Sequence, residues 1–261
     1  MLLDKLKASF TRTIICLAIL GLAATSAIAV PVRNIVLVHG AWVDGSGWQP
    51  VYDILVKDGY NVTLVQEPET SFEDDVTAAK RVIERELGPC ILVGHSYGGS
   101  IITEAGTEPH VVGLVYVAAH APDVGENEAA LGKKTPSLLA KTNGAVEKTD
   151  DGFTFLNPAD FHDLFAPDLS REQAEFESRS QILAAAKVFT TPLTAAAWKT
   201  KPSWGVVALA DKIINPDLEK WYYARARSHT IEITGASHSV YQSHPREVAD
   251  VIEEAAQNAQ K

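Results

Sequence analysis

A serine between glycines stands where the chain could present a reactive side chain. An apolar run from Cys90 precedes the segment Gly94–Gly98, which reads Gly-His-Ser-Tyr-Gly, and the following Ser100–Ala105 has the composition of a helix. This strand, turn and helix order is the context in which a Gly-x-Ser-x-Gly turn presents its serine as a nucleophile. Glycine permits the tight turn, and the free N–H groups at a helix start favour developing negative charge. Ser96 is the candidate nucleophile, and the alternative interpretation is a glycine-rich turn with an incidental serine.

A serine nucleophile needs a base that removes its proton. Two histidines follow the last predicted strand, and of these His238 lies in a short turn, whereas His244 caps or begins the final helix. His95 adjoins Ser96, but neighbouring residues at a strand end point to opposite sides. We therefore predict His238 as the base. His39, at the end of the first predicted strand, is expected to have a structural role.

An acidic side chain must orient and stabilise that base. Asp211 directly follows one apolar strand and Asp123 follows another, so both are candidates. The order Ser96, Asp211, His238 matches a known chain order of serine, aspartate and histidine in catalytic sets. We predict Asp211 as the acid and keep Asp123 as the alternative. A purely structural interpretation of Asp211 is a loop residue that caps the next helix.

Apolar strands and helices alternate around these residues. The predicted strands are Asn34–Val38, Asn61–Val65, the run from Cys90, Val111–Ala119, Ser203–Ala210 and His229–Thr234. The predicted helices are Trp48–Lys57, Phe72–Leu87 with Ser71 as its N-cap, the helix after Ser96, Asp217–Arg227 and Pro245–Asn258. This alternation predicts an α/β fold, a mostly parallel sheet with helices on both faces. Functional sites in such folds lie at the carboxyl ends of the strands.

The alternation stops between about Ala121 and Lys201. This stretch has polar turns, several phenylalanines and a helical run predicted over Arg171–Val188. Its apolar content argues against a disordered loop. We interpret residues 121–201 as a helical lid insertion folded over the strand ends, within one domain that covers residues 30–261.

The N-terminal residues 1–29 have the composition of a secretory signal peptide. Three basic residues precede the apolar run Ile14–Ala24, and Ala27-Ile28-Ala29 supplies small residues for cleavage. The apolar run is short for a bilayer-spanning helix, which leaves an uncleaved anchor as the alternative. We predict an exported protein, periplasmic or secreted, that has no membrane contact after cleavage. Cleavage would remove Cys16, so that Cys90 has no partner for an internal disulfide.

The charge of the chain bears on its partners. The net charge is −10, and it becomes −12 without residues 1–29, which carry three basic residues and one acidic residue. An acidic protein of this kind is a poor candidate for nucleic-acid binding. Neither metal-ligand spacing nor a phosphate-binding loop is found in the sequence, so we expect no cofactor and no metal.

Taken together, these motifs resemble the α/β-hydrolase superfamily over essentially the whole chain after residue 29. The resemblance rests on His39-Gly40-Ala41-Trp42, the Ser96 turn, Ala210-Asp211 and Gly235-Ala236-Ser237-His238. It is strongest to small esterases and hydroxynitrile lyases with a compact lid. The resemblance implies an oxyanion hole formed by the backbone N–H groups of Ala41 and Tyr97. Each donor of this kind contributes about 3 kcal/mol of transition-state stabilisation.

One departure from that group bears on the chemistry. Hydroxynitrile lyases of this type carry a lysine at or near the position after the catalytic histidine, but Ser239 follows His238 here. The resemblance therefore implies ester hydrolysis, a carboxylesterase that acts on a small-molecule ester. The same residues would also serve a lactonase, thioesterase, perhydrolase or carbon–carbon bond hydrolase. An alternative from another class is a non-catalytic ligand-binding protein on a hydrolase scaffold.

Overall fold

The computed structural model describes residues 32–260, and the predicted signal peptide lies outside them. Nine strands occur in this part of the chain: β1 (Asn34–Val38), β2 (Asn61–Leu64), β3 (Cys90–His95), β4 (Val111–Val117), β5 (Val146–Lys148), β6 (Phe153–Leu156), β7 (Ala184–Ala185), β8 (Ser203–Ala208) and β9 (His229–Ile233). Six form one sheet in the order β2-β1-β3-β4-β8-β9, and every neighbouring pair is parallel. The predicted parallel α/β sheet is confirmed.

Nine α-helices are present among the same residues: α1 (Gln49–Lys57), α2 (Phe72–Ile83), α3 (Gly98–Ala105), α4 (Glu128–Lys134), α5 (Pro158–Leu164), α6 (Arg171–Arg179), α7 (Pro216–Ala226), α8 (Val240–Ser243) and α9 (Pro245–Asn258). None of them is long and apolar enough to cross a membrane.

Two apolar cores cover the two faces of the large sheet. In β1, Ile35 and Leu37 belong to the core that also contains buried residues of α1 and α9. Val36 and Val38 belong to the other core, together with residues of α2, α3 and α7. Alternate residues of a strand point to opposite faces, so a fully buried β-branched strand serves both cores. Helices therefore lie on both faces, as predicted.

Cys90 opens β3 and is a free, buried cysteine. Burial raises the pKa of its thiol to about 12. A thiol of this kind is neutral and packs as a small apolar side chain, in keeping with the role in the core expected of it.

The helix predicted over Phe72–Leu87 is shorter in the structure, where α2 ends at Ile83. Ser71 caps the start of α2 as predicted, because its hydroxyl accepts the Asp74 N–H at 3.1 Å. Ile83 is the last buried residue of the helix, and Leu87 is fully exposed. None of residues 84–89 is buried, so no buried face extends the helix beyond Ile83.

The insertion between β4 and β8 is not purely helical, and that part of the prediction is wrong. It contains α4, α5 and α6, but also a three-stranded antiparallel sheet in the order β5-β6-β7. The helix predicted over Arg171–Val188 ends at Arg179. Ala184 and Ala185 instead pair with β6, and the Ala185 N–H donates to the Glu69 carbonyl at 2.8 Å. Pairing with a distant strand here outweighs the helix preference of alanine.

Candidate active site

A sharp turn between β3 and α3 presents Ser96. Its backbone is left-handed, with φ +53°. The flanking glycines are required by close backbone contacts, since a Cβ on Gly94 would lie 2.5 Å from the Gly98 oxygen and one on Gly98 would lie 2.3 Å from the His39 oxygen. Atoms cannot approach this closely, so both positions exclude a larger side chain. The strain of the turn is maintained by the packing around it.

The structure brings Ser96 and His238 together. The Ser96 Oγ lies 2.8 Å from the His238 Nε2, and both residues are buried. His238 follows β9 in the loop before α8, and it reaches the carboxyl edge of the sheet from there. With the proton of His238 on Nδ1, the serine hydroxyl donates to Nε2, which is the arrangement that a serine nucleophile and its base require.

Asp211 lies on the far side of the same imidazole. Its Oδ2 is 2.6 Å from the His238 Nδ1, while its Oδ1 accepts the backbone N–H groups of Ile213 and Ile214 at 2.7 and 3.0 Å. The alternative acid, Asp123, is elsewhere and forms an ion pair with Lys199 at 2.5 Å. The carboxylate of Asp211 is therefore fixed and selects the Nδ1–H form of His238.

His95 holds the loop that carries His238. Its Nε2 donates to the His238 carbonyl oxygen at 2.9 Å. Burial, together with the nearby His238, holds the pKa of His95 well below its usual range, so the ring is neutral. His95 thus holds the main chain of the loop and does not contact Ser96 Oγ as a base. His244 stands at the N-cap of α9, where the sequence placed it.

Ala41 and Tyr97 follow two neighbouring parallel strands, β1 and β3, at the same edge of the sheet. Val38 of β1 pairs with Gly94 of β3, and Ala41 and Tyr97 each come three residues later in their strands' continuations. Within residues 32–260, neither the Ala41 nor the Tyr97 N–H takes part in an internal hydrogen bond. Unused N–H groups beside a serine hydroxyl are suited to hold an oxyanion.

His39 is a buried histidine that directly follows β1. Its Nδ1 lies 2.9 Å from the Gly40 carbonyl oxygen, and its Nε2 contacts the Glu67 carboxylate. Burial by itself lowers the pKa of His39, but the charge and hydrogen bond of Glu67 outweigh burial and raise the pKa to about 9. The structural role expected of His39 fits these contacts.

A family model for alpha/beta hydrolases matches residues 35–251, which is most of the chain. The chain belongs to the alpha/beta hydrolase family.

Individual relatives of this hydrolase are distant in sequence. A carbendazim-hydrolysing esterase of Nocardioides is 35% identical over 112 residues, which is 38% of this chain and 46% of that protein. The match thus spans less than half the length of that relative. Esterase PIR7B of rice is 25% identical over 83% of this chain and 91% of its own. A crystal structure of the pyrethroid hydrolase PytH superposes with a TM-score of 0.76 at 20% identity, covering 88% of this chain and all of that one, and shows the shared fold.

Glu219 on α7 is a buried acid that was not among the residues predicted from the sequence. Its Oε2 accepts the Ala208 N–H at 3.2 Å, directly before the Asp211 loop. Burial and the nearby Asp211 raise the pKa of Glu219 well above its usual range, so it is neutral. Its spacing in the sequence could have indicated that Glu219 is buried, because Glu219 shares a helical face with the buried Tyr222 and Tyr223.

A second buried acid lies beside the Ser96 helix. Glu128 of α4 has its Oε1 2.5 Å from the Ser100 hydroxyl oxygen, and its Oε2 lies 3.6 Å from His120. Burial raises the pKa of Glu128 to about 8 and lowers the pKa of His120 to about 3. Near neutral pH both groups are uncharged, and the pair is not an ion pair.

Glu128 is expected to make the stability of this hydrolase depend on pH. Its folded-state pKa lies above the unfolded value, so the native state binds the proton more tightly and stability falls as pH rises from about 4.5 to about 8. Each pKa unit is worth about 1.4 kcal/mol. Glu128→Gln keeps an acceptor for Ser100 and should flatten this decline. Urea unfolding at pH 5 and pH 8 measures the effect.

The exposed Glu73 on α2 provides the control for that experiment. Glu73→Gln removes a carboxylate without touching Glu128 and should leave the wild-type pH dependence in place. An unchanged slope in Glu128→Gln would show that Glu128 is not the group responsible.

Proposed function

We propose that this chain is a serine hydrolase, a carboxylesterase that cleaves a small ester through an acyl-enzyme on Ser96. The observation that carries the proposal is the unbroken line of hydrogen bonds from the Ser96 hydroxyl through His238 to Asp211. Relatives named as esterases support the same activity. The partners this chemistry needs are the small-molecule ester and water.

In the first half-reaction, His238 Nε2 takes the hydroxyl proton as Ser96 Oγ attacks the ester carbonyl carbon. The carbonyl oxygen becomes an anion held by the Ala41 and Tyr97 N–H groups. The tetrahedral intermediate then collapses, the carbon–oxygen bond to the alcohol breaks, and His238 returns the proton to the departing oxygen. Asp211 stabilises the imidazolium form of His238 throughout.

In the second half-reaction, water takes the place of the alcohol. His238 removes a proton from the water, whose oxygen attacks the acyl carbon, and the same two N–H groups hold the second oxyanion. Collapse breaks the bond to Ser96 Oγ, which recovers its proton from His238 and releases the carboxylic acid. The enzyme returns to its starting protonation state.

The insertion, residues 121–201, is proposed to act as the lid of this site. The Trp42 indole of the oxyanion loop donates to Thr154 on β6 at 3.2 Å. The Phe165 ring lies 4.8 Å from the His238 ring, edge to face, and Asp168 accepts the Ser237 N–H at 2.8 Å. The insertion thus contacts both loops that carry the chemistry, and its aromatic rings favour an apolar ester over a charged one.

Export of the protein is proposed from residues 1–29, whose basic, apolar and small-residue segments are those of a signal peptide. Cleavage after Ala29 would leave the domain of residues 30–261. Expression with its own N-terminus, followed by mass spectrometry of the exported protein, tests this. A product beginning at Val30 is expected, and an uncleaved chain held in the membrane would contradict it.

The test of the activity is a series of nitrophenyl esters of increasing acyl length. We expect turnover with a maximum at a short or medium chain, together with labelling of Ser96 by a fluorophosphonate, detected as a mass increase on its peptide. Folded protein that shows neither turnover nor labelling would overturn the proposal and favour a ligand-binding scaffold.

Asp211→Asn is expected to lower kcat by about 10⁴-fold, because the amide no longer selects the working tautomer of His238. The matched control is Asp123→Asn, which also removes an aspartate that follows a strand and should change kcat by less than about threefold, as expected for a residue outside the site. Steady-state kinetics with the best ester compares them. The opposite ranking would assign the acid to Asp123.

A further inference from the structure

The two proposed oxyanion donors belong to separate loops. Contacts between these loops must therefore fix the distance between the donors. Ala41 lies in the loop after β1, where the next residue, Trp42, has a left-handed backbone at φ +67°. Tyr97 follows the strained Ser96. Donors that stabilise a transition state work because they are held in place before the reaction begins.

Glu69 holds the first of these loops. Its Oε2 accepts the Trp42 N–H at 3.2 Å, which fixes the peptide plane that directly follows Ala41. Glu69 is fully buried, and its own backbone is left-handed at φ +52°. Its Oε1 lies 3.8 Å from the His39 Nδ1, and burial raises the pKa of Glu69 well above its usual range. The Glu69 side chain is therefore directed at the loop by its hydrogen bond to the Trp42 N–H.

Asp75 on α2 connects Glu69 with the second loop. Its Oδ1 accepts the Glu69 N–H at 2.8 Å, and its Oδ2 accepts the Tyr97 hydroxyl at 2.7 Å. Asp75 is fully buried as well. A hydrogen-bonded path thus runs from the Trp42 amide through Glu69 and Asp75 to the Tyr97 side chain.

Aromatic contacts already pack the Tyr97 ring and Trp42 without these two acids. The Tyr97 ring already lies edge-on to Phe72 and Phe189, with centroids 6.3 and 5.8 Å away, and Phe189 also contacts Trp42 at 5.6 Å. Burying carboxylates has a desolvation cost that apolar side chains of similar size would avoid. What the carboxylates add to the aromatic contacts is direction, because each oxygen accepts a particular N–H or O–H.

We propose that Glu69 and Asp75 are positioning residues that hold the Ala41 and Tyr97 N–H groups in register as one oxyanion hole. The inference rests on the proposed ester hydrolysis, because it says which residues position the donors that stabilise the transition state of that reaction. Neither carboxylate touches the ester. Both act through the two loops.

Tyr97→Phe and Asp75→Asn test the connection between the loops. Tyr97→Phe removes a single oxygen atom and keeps the backbone N–H and the ring. We expect kcat to fall about 10- to 100-fold in each variant with KM changed less than threefold, a loss somewhat smaller than the 10²–10³-fold effect of deleting a donor outright. The double variant should be no slower than the slower single variant, because both break one path.

Affinity for a trifluoromethyl ketone separates positioning from general stability. The ketone adds to Ser96 Oγ, and its oxygen becomes an anion in the oxyanion hole. Its inhibition constant should therefore rise in proportion to the loss in kcat/KM in both variants. Binding of the alcohol product, which has no oxyanion, should be unchanged. Glu69→Gln, which keeps an acceptor for the Trp42 N–H, should retain more activity than Glu69→Ala.

Tyr116→Phe is the matched control. Tyr116 is equally buried, and its hydroxyl lies 3.0 Å from Thr103 away from both loops. We expect it to lower thermal stability while kcat and ketone affinity stay at the wild-type values. Equal kcat and ketone affinity in Tyr97→Phe, Asp75→Asn and Tyr116→Phe, with an active wild type, would overturn this inference alone. A wild type without turnover would overturn the proposed function and this inference with it.

Discussion

Ser96→Ala is expected to reduce kcat for the best nitrophenyl ester by about 10⁵- to 10⁶-fold, the range found when a nucleophile is removed from a serine hydrolase. The substitution deletes the Oγ atom that would carry the acyl group, and no other hydroxyl in the described part of the chain lies within hydrogen-bonding distance of His238 Nε2. The remaining N–H donors would still bind the ester, so KM should change little. Residual catalysis over water of about 10³- to 10⁴-fold is expected from these donors.

Ser100→Ala is the control for that measurement. Ser100 lies one helical turn away on α3, and its hydroxyl is directed at Glu128 instead of His238. This variant should keep kcat within about tenfold of the wild type, in line with the loss of one hydrogen bond. It should also still be labelled by the fluorophosphonate, whereas Ser96→Ala should not. If Ser96→Ala retains a tenth of the wild-type turnover, the acyl-enzyme is formed elsewhere and the proposed mechanism is wrong.

The proximity of Ser96, Asp211 and His238 could be predicted because each follows a strand of a parallel sheet. The strands β3, β8 and β9 are separated along the chain, yet their carboxyl ends meet at one edge. An apolar run and the residue type that ends it are local properties, so the sequence contains them directly. The same reasoning distinguishes His238, in a turn after β9, from His244 at a helix start.

The support of the site could not be predicted in this way. Glu69 precedes α2 and Asp75 lies in its first turn, in a stretch where a run of acids ordinarily indicates a solvated surface. The insertion contacts Glu69, because the Ala185 N–H donates to the Glu69 carbonyl. That contact joins residues more than a hundred positions apart, and no local pattern encodes it. The small sheet of β5, β6 and β7 could not be predicted for the same reason. β7 has only two residues, and they form a strand because they pair with the distant β6.

His238→Ala is expected to lower kcat by about 10⁵- to 10⁶-fold, as much as the loss of the serine itself. Without the imidazole, Ser96 keeps its proton and the departing alcohol has no acid to protonate it. His244→Ala offers a matched change six residues later, outside hydrogen-bonding reach of Ser96, and should leave kcat within about threefold. Steady-state kinetics on the two variants decides between the histidines, and the reverse ranking would mean that the base is His244.

The double variant Ser96→Ala, His238→Ala tests whether the two residues act as one unit. If each contributed independently, the two losses would multiply and the remaining rate would fall below that of the uncatalysed reaction. A base is useful only while it has a hydroxyl to deprotonate, so removing both should cost no more than removing one. The 2.8 Å contact between Oγ and Nε2 is the physical reason for that expectation. A double variant slower than either single variant by another factor of ten would show that His238 has a second task, such as activating water directly on the bound ester.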